Sequence, residues 1–263
     1  MHTFLKSAAI TKLGAIMLGT LIMSGCSSPD SRNIAETTPH GTSSGPKSVQ
    51  KAPAQPVGSP DRGKEVFRFA TFGNEGFWHD VMRWQQGVVE SQLTPKQMLE
   101  LGLQFDTEAI EPSLREKLDR EFKTDLSLQN APSLNDPHVT IALLNANAVI
   151  GVAAKDSNGD KTINILQGDK VGVTCALCHT VTDKSAFNLA GKGTAGKRID
   201  GPAALTLNMG NFLALAKNSK AYYLNLQQNH MGVLSIGRAT RGLGPSSTEE
   251  EVDAYLKNPE FYP

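Results

Sequence analysis

Only three cysteines occur in 263 residues, at positions 26, 175 and 178. So few, with two of them claimed below by other chemistry, exclude a disulfide framework of the kind that holds small secreted domains together. Charge of one sign is also lacking: 26 basic side chains are matched by 26 acidic ones, and the sequence pI is near 7.0. That balance argues against a nucleic-acid partner and against a strong field over the whole molecule, so docking to a redox partner would depend on a local patch. The N-terminal apolar stretch, Leu13 to Met23, is too short to span a membrane. No Ser/His/Asp arrangement, phosphate-cradling loop or paired-carboxylate constellation stands out. Gly191 to Gly196 is glycine-rich but lacks a strand–turn–helix context, and reads as a flexible loop.

What is present begins with an address. His2, Lys6 and Lys12 flank the apolar stretch, which has the shape of a secretory h-region and ends in Met23-Ser24-Gly25-Cys26. This ending resembles the lipobox of bacterial lipoproteins, with Met23 where that family usually has Leu. The resemblance implies a signal peptide over residues 1–25, cleavage before Cys26, and acylation of its thiol. Several acyl chains would anchor the protein stably, at about 0.8 kcal/mol per buried methylene. The alternative is an ordinary signal peptide with an incidental cysteine. Either way the expected location is the bacterial cell envelope, facing the periplasm or the exterior. Residues 26–62, rich in Ser, Pro, Thr, Gly and Ala, read as a flexible tether in which His40 is solvated.

The rest of the chain is organised around Cys175-Ala176-Leu177-Cys178-His179. Two thiols three positions apart, followed at once by histidine, form the pattern by which haem c is attached covalently. On one helical turn both sulfurs point the same way, so each can add to a vinyl group on one porphyrin edge. His179 is then placed to bond the iron. A zinc half-site would want two more soft ligands, and a thiol–disulfide redox pair would not require His179.

Beyond that motif, residues 171–263 resemble class I cytochromes c. Cys175 to Val181 is similar to the family's attachment helix, and Asp200-Gly201-Pro202 to its Gly-Pro turn. The resemblance implies that the Pro202 carbonyl accepts a hydrogen bond from the second ring nitrogen of His179, fixing its tautomer. Tyr255-Leu256-Lys257-Asn258-Pro259 resembles the phrase that leads into the family's distal methionine, and the sequence stops at Pro263 before one appears. The haem domain is therefore expected to be incomplete. The other readings are a sixth ligand from Met209, Met231 or His230, or an open iron position that binds peroxide, nitric oxide or carbon monoxide. Phe72-Gly73-Asn74-Glu75-Gly76-Phe77-Trp78 is similar to a phrase near the start of longer bacterial haem proteins.

Residues 63–170 are expected to form a mostly helical N-terminal domain. Both tryptophans fall in an aromatic-rich stretch, Lys64 to Val89, which reads as helical core or as a wall for the haem. Thr94, Pro95 and Gln97 mark a helix start, with Gly102 as its stop. Glu108 to Phe122 reads as a charged helix presenting a solvated face. Thr162 to Leu166 alternates as a strand would, and Asp156 to Asp160 precedes it. Asp156, Asn158 and Asp160 offer oxygens at the first, third and fifth places of a calcium loop. Lys161 and Gln167 do not fit that loop, and a β-hairpin turn at Asn158-Gly159 is favoured over calcium.

The fold class expected is mainly α: a cytochrome c-like helical haem domain behind a helical domain with a short β-hairpin. The function expected is covalent haem c binding and single-electron transfer between redox partner proteins by a membrane-anchored cytochrome. The alternatives are a haem peroxidase or reductase with an open iron site, and a non-haem lipoprotein with a thiol pair.

Overall fold

The structure, a computed structural model, describes residues 57–226 and 242–261. The expected signal peptide, Cys26, His40, His230 and Met231 lie outside the described residues. Pro56–Pro263 forms one compact unit.

Local chemistry starts most of the helices. In α1 (Pro60–Phe69) Ser59 accepts from Arg62 N at 3.4 Å, Pro60 occupies the first turn, and Arg68 lies in the last turn, where a cation suits the helix dipole. The helix thus begins inside the segment read as tether. A short π-helix, Gly76–Val81, leads into α2 (Trp84–Glu90). Trp84 is buried, donates from Nε1 to the Phe212 carbonyl at 2.9 Å, and sits 4.9 Å from that ring. Trp78 approaches the same ring at 5.6 Å. Trp78 and Trp84 therefore pack into the core together with Phe212, a residue far along the chain, while Phe72 of the same stretch is exposed. The helix α3 (Pro95–Glu100) starts with the Thr94–Gln97 capping box, and Gly102 follows it at φ +83°. Next come β1 (Phe105–Asp106) and α4 (Pro112–Glu121). Glu121 turns inward from α4, and its buried carboxylate accepts Ser133 N at 3.0 Å and Leu134 N at 2.8 Å. Val139 to Ala154, a nearly all-apolar stretch of the sequence, divides between α5 (Pro137–Asn145) and β2 (Val152–Lys155).

The second half departs from a mainly α fold, and the protein is mixed α/β. After β3 (Lys170–Val173) comes the single turn α6 (Ala176–His179), then β4 (Thr180–Thr182), β5 (Phe187–Asn188), β6 (Thr194–Gly196) and β7 (Arg198–Asp200). Three small sheets result: β1-β6-β5, β2-β3 and β4-β7. The β1–β6 pairing is parallel, and the others are antiparallel. The helices α7 (Met209–Leu213) and α8 (Glu249–Lys257) follow, and Thr248 and Glu251 form a capping box at the start of α8.

The helical expectation failed because these strands are two to four residues long, too short for an alternating pattern to show. The hairpin is real but differently built. Its arms are β2 and β3, paired from Val152↔Val173 to Lys155↔Lys170, while 162–166 belongs to the connecting loop. Residue 170, where a domain boundary was expected, is the first residue of β3.

Candidate functional site

The Cys-Ala-Leu-Cys-His turn joins two sheets, with β3 before it and β4 after it. Ala176 and Leu177 are buried, while Cys175, Cys178 and His179 are exposed. Both thiols are free. The apolar pair seats the turn, and the side chains of Cys175, Cys178 and His179 face solvent. Among the described residues the His179 ring forms no hydrogen bond. The Cys178 thiol is pushed up, first by partial burial and second by Cys175 beside it. A thiolate used for disulfide exchange needs the opposite shift.

The turn rests on Gly151. This glycine has φ +85°, and a Cβ there would overlap the Leu177 backbone. Its carbonyl accepts Thr174 N at 2.9 Å, immediately before Cys175. Asn74 holds the other approach. Its Nδ2 donates to the Val173 carbonyl at 2.8 Å and its Oδ1 accepts Val173 N at 3.1 Å, so one side chain pairs with β3 as a neighbouring strand would. The Phe72–Trp78 phrase thereby touches the strand that delivers the two cysteines.

On the far side the Gly201–Ala204 loop docks against the turn through its backbone. Gly201 N donates to the His179 carbonyl and Ala204 N to the Cys178 carbonyl, both at 2.8 Å, satisfying acceptors that a helix end leaves open. Pro202, between them, is exposed, and among the described residues its carbonyl accepts no hydrogen bond. Ile199 and Leu205, on either side of this loop in sequence, are exposed apolar side chains, Leu205 at 91%. A pocket of about 200 Å³ is lined by Val181, Ala203 and Leu205 together with Gln104, Lys184 and Lys192.

Gln104, which sequence reasoning passed over, and Asp200, read there only as part of a Gly-Pro turn, fix Thr180, the residue after His179. Buried Gln104 donates to the Thr180 carbonyl at 3.2 Å and accepts Thr182 N and Thr194 Oγ1, each at 2.9 Å. Asp200 accepts Thr180 Oγ1 at 2.9 Å and Arg68 Nε at 2.7 Å.

The remaining candidates lie elsewhere in the fold. Met209 opens α7 and packs, half-buried, against the hydrophobic core. Asp156, Asn158 and Asp160 lie in the exposed loop between β2 and β3. Their oxygens are engaged within the loop: Asp156 accepts Gly159 N at 2.7 Å and Lys161 N at 2.9 Å, Asn158 accepts Asp160 N at 2.9 Å, and Asp160 accepts Thr162 N at 2.8 Å. Among the described residues no three His, Cys, Asp or Glu side chains gather as a metal cage. His79 is held between Val171, whose N–H meets Nδ1 at 3.4 Å, and the Gln85 amide at 3.1 Å from Nε2. Nδ1 accepts, so Nε2 carries the proton, and the amide oxygen is the end of Gln85 able to take it. No described helix is long and apolar enough to cross a membrane.

Compared with known protein families, with curated proteins and with solved structures, the chain matches none.

Proposed function

We propose that the protein binds haem c covalently and transfers single electrons as a membrane-anchored cytochrome of the bacterial cell envelope. The observation that carries this reading is the single turn on which Cys175, Cys178 and His179 are all exposed, with both thiols free. The two sulfurs would hold the porphyrin, His179 would ligate the iron, and Ile199 and Leu205, apolar and exposed on either side of the docked loop, would be available to cover an apolar face. Bound there, haem supplies a one-electron ferric/ferrous couple. The turn that would carry it is held by Gly151 and Asn74 on its approach and by Gly201 and Ala204 on its exit. Attachment through Cys26 to lipid and docking of redox proteins belong to the same reading.

The test is replacement of Cys175 and Cys178 by Ser in protein made with a haem c maturation system. The wild type is expected to keep a haem stain through denaturing electrophoresis and the double variant to lose it; a stain that persists without either thiol sinks the proposal.

A further inference from the structure

Asp200 joins three elements. It takes Arg68 of α1 on Oδ2 and Thr180 of β4 on Oδ1, while its own strand pairs Asp200 directly with Thr180. Thr180 follows His179, and Gly201, which follows Asp200, donates to the His179 carbonyl at 2.8 Å. The Arg68 and Asp200 side chains are only 21% and 22% exposed. Two opposite charges thus sit mostly out of water: Asp200 bonds Thr180, the residue after His179, and precedes Gly201, which donates to the His179 carbonyl, while Arg68 of α1 reaches Asp200 from outside β4 and β7. The next charge on β7, Arg198, meets Asp106 at 2.5 Å, the Asn147 carbonyl at 2.8 Å and the Phe69 ring at 5.0 Å, and its buried Nη1 has no hydrogen-bond partner among the described residues.

We infer that Arg68 and Asp200 form a charge-compensated positioning pair for His179, and that each charge sets the reduction potential of the haem carried on this turn. The inference rests on the haem reading above. Partly buried charges act through a lower effective dielectric than water and are screened less by salt. One-electron reduction, ferric iron plus one electron from the titrant giving ferrous iron, removes a unit of positive charge from the centre. An uncompensated Asp200 carboxylate favours the ferric form, and an uncompensated Arg68 guanidinium favours the ferrous form. Together they nearly cancel.

The experiment is a mediated redox titration of the full chain carrying haem, as wild type, Arg68→Gln, Asp200→Asn and the double variant. The midpoint potential is expected to fall in Arg68→Gln, to rise in Asp200→Asn, and to return close to wild type in the double variant. Both single variants shifting in one direction, as a loosened and wetter site would make them, overturns the inference, and so does no shift in either. If Arg68→Gln does not fold, Arg68→Lys keeps the charge and is expected to hold the wild-type potential while Asp200→Asn still rises; a displaced Lys variant overturns it. Absence of a haem stain in the wild type, read before any titration, is a failure of the haem reading itself.

Discussion

The side chain of Asn74 closes both backbone hydrogen bonds of Val173, a residue 99 positions away and two before Cys175. An amide carries a donor and an acceptor at the spacing of a peptide group, so it can stand in for a neighbouring strand. Gly172 makes room for it, since a Cβ there would overlap Asn74 Oδ1.

Asn74→Ala is therefore expected to destabilise the fold by about 1–3 kcal/mol, the usual cost of leaving partly buried backbone groups unpaired. Asn74→Asp keeps the acceptor but sets a carboxylate oxygen against the Val173 carbonyl, and is expected to cost at least as much as Ala. Urea unfolding followed by tryptophan fluorescence reads both; an Ala variant as stable as wild type would show that β3 does not depend on this contact.

Gly151→Ala tests the seat of the turn. At φ +85° and against the Leu177 backbone, a methyl group forces the turn to move, at roughly 1–3 kcal/mol for overpacking. Gly191→Ala, at φ +69° with nothing nearby, is the control and should cost less. The expected readouts are a lower Tm and a reduced yield of covalent haem for Gly151→Ala, each compared with that control.

Gln104→Leu removes the buried link between β4 and β6. It leaves Thr182 N and the Thr180 carbonyl without a partner, and about 1–3 kcal/mol for each buried group predicts a large loss. Equilibrium unfolding checks it, and a loss below 1 kcal/mol would mean that water replaces the amide.

His79 predicts a pH dependence. Its pKa is lowered chiefly by burial, against the pull of nearby Asp80 and with the push of Lys170. The neutral ring is thus favoured in the fold, and the unfolded chain binds the extra proton first. Stability from this group is full above the ordinary histidine value of about 6.5 and is lost as pH falls toward the folded value. Between pH 7 and 5 the wild type should lose stability more steeply than His79→Gln; parallel profiles would remove His79 as the cause.

What could be read from the sequence was chemistry that closes within a few residues. The Thr94–Gln97 capping box and the stop at Gly102 needed only local contacts, and both are present. The contacts around the turn are of another kind. Asp200 meets Arg68 across 132 positions, and Asn74 meets Val173 across 99, with nothing along the chain to signal either pairing. The alternation at 162–166 misled for a related reason. A local period marks a face, but whether a strand forms depends on a distant partner, and β2 found Lys170–Val173 instead.

The turn between β3 and β4 is four residues long, far below what a helix needs to hold itself in water. Its shape is borrowed from Asn74, Gly151, Gln104 and the loop after Asp200, so it arrives only when these distant segments have met. Contacts of such span close late in folding. During refolding, a thiolate-selective reagent should therefore slow at Cys178, whose thiol the formed turn pushes up, only in the last phase, while exposed Cys175 stays open to it throughout. Chemistry performed on Cys178 thus changes pace with the slowest long-range closures of the chain.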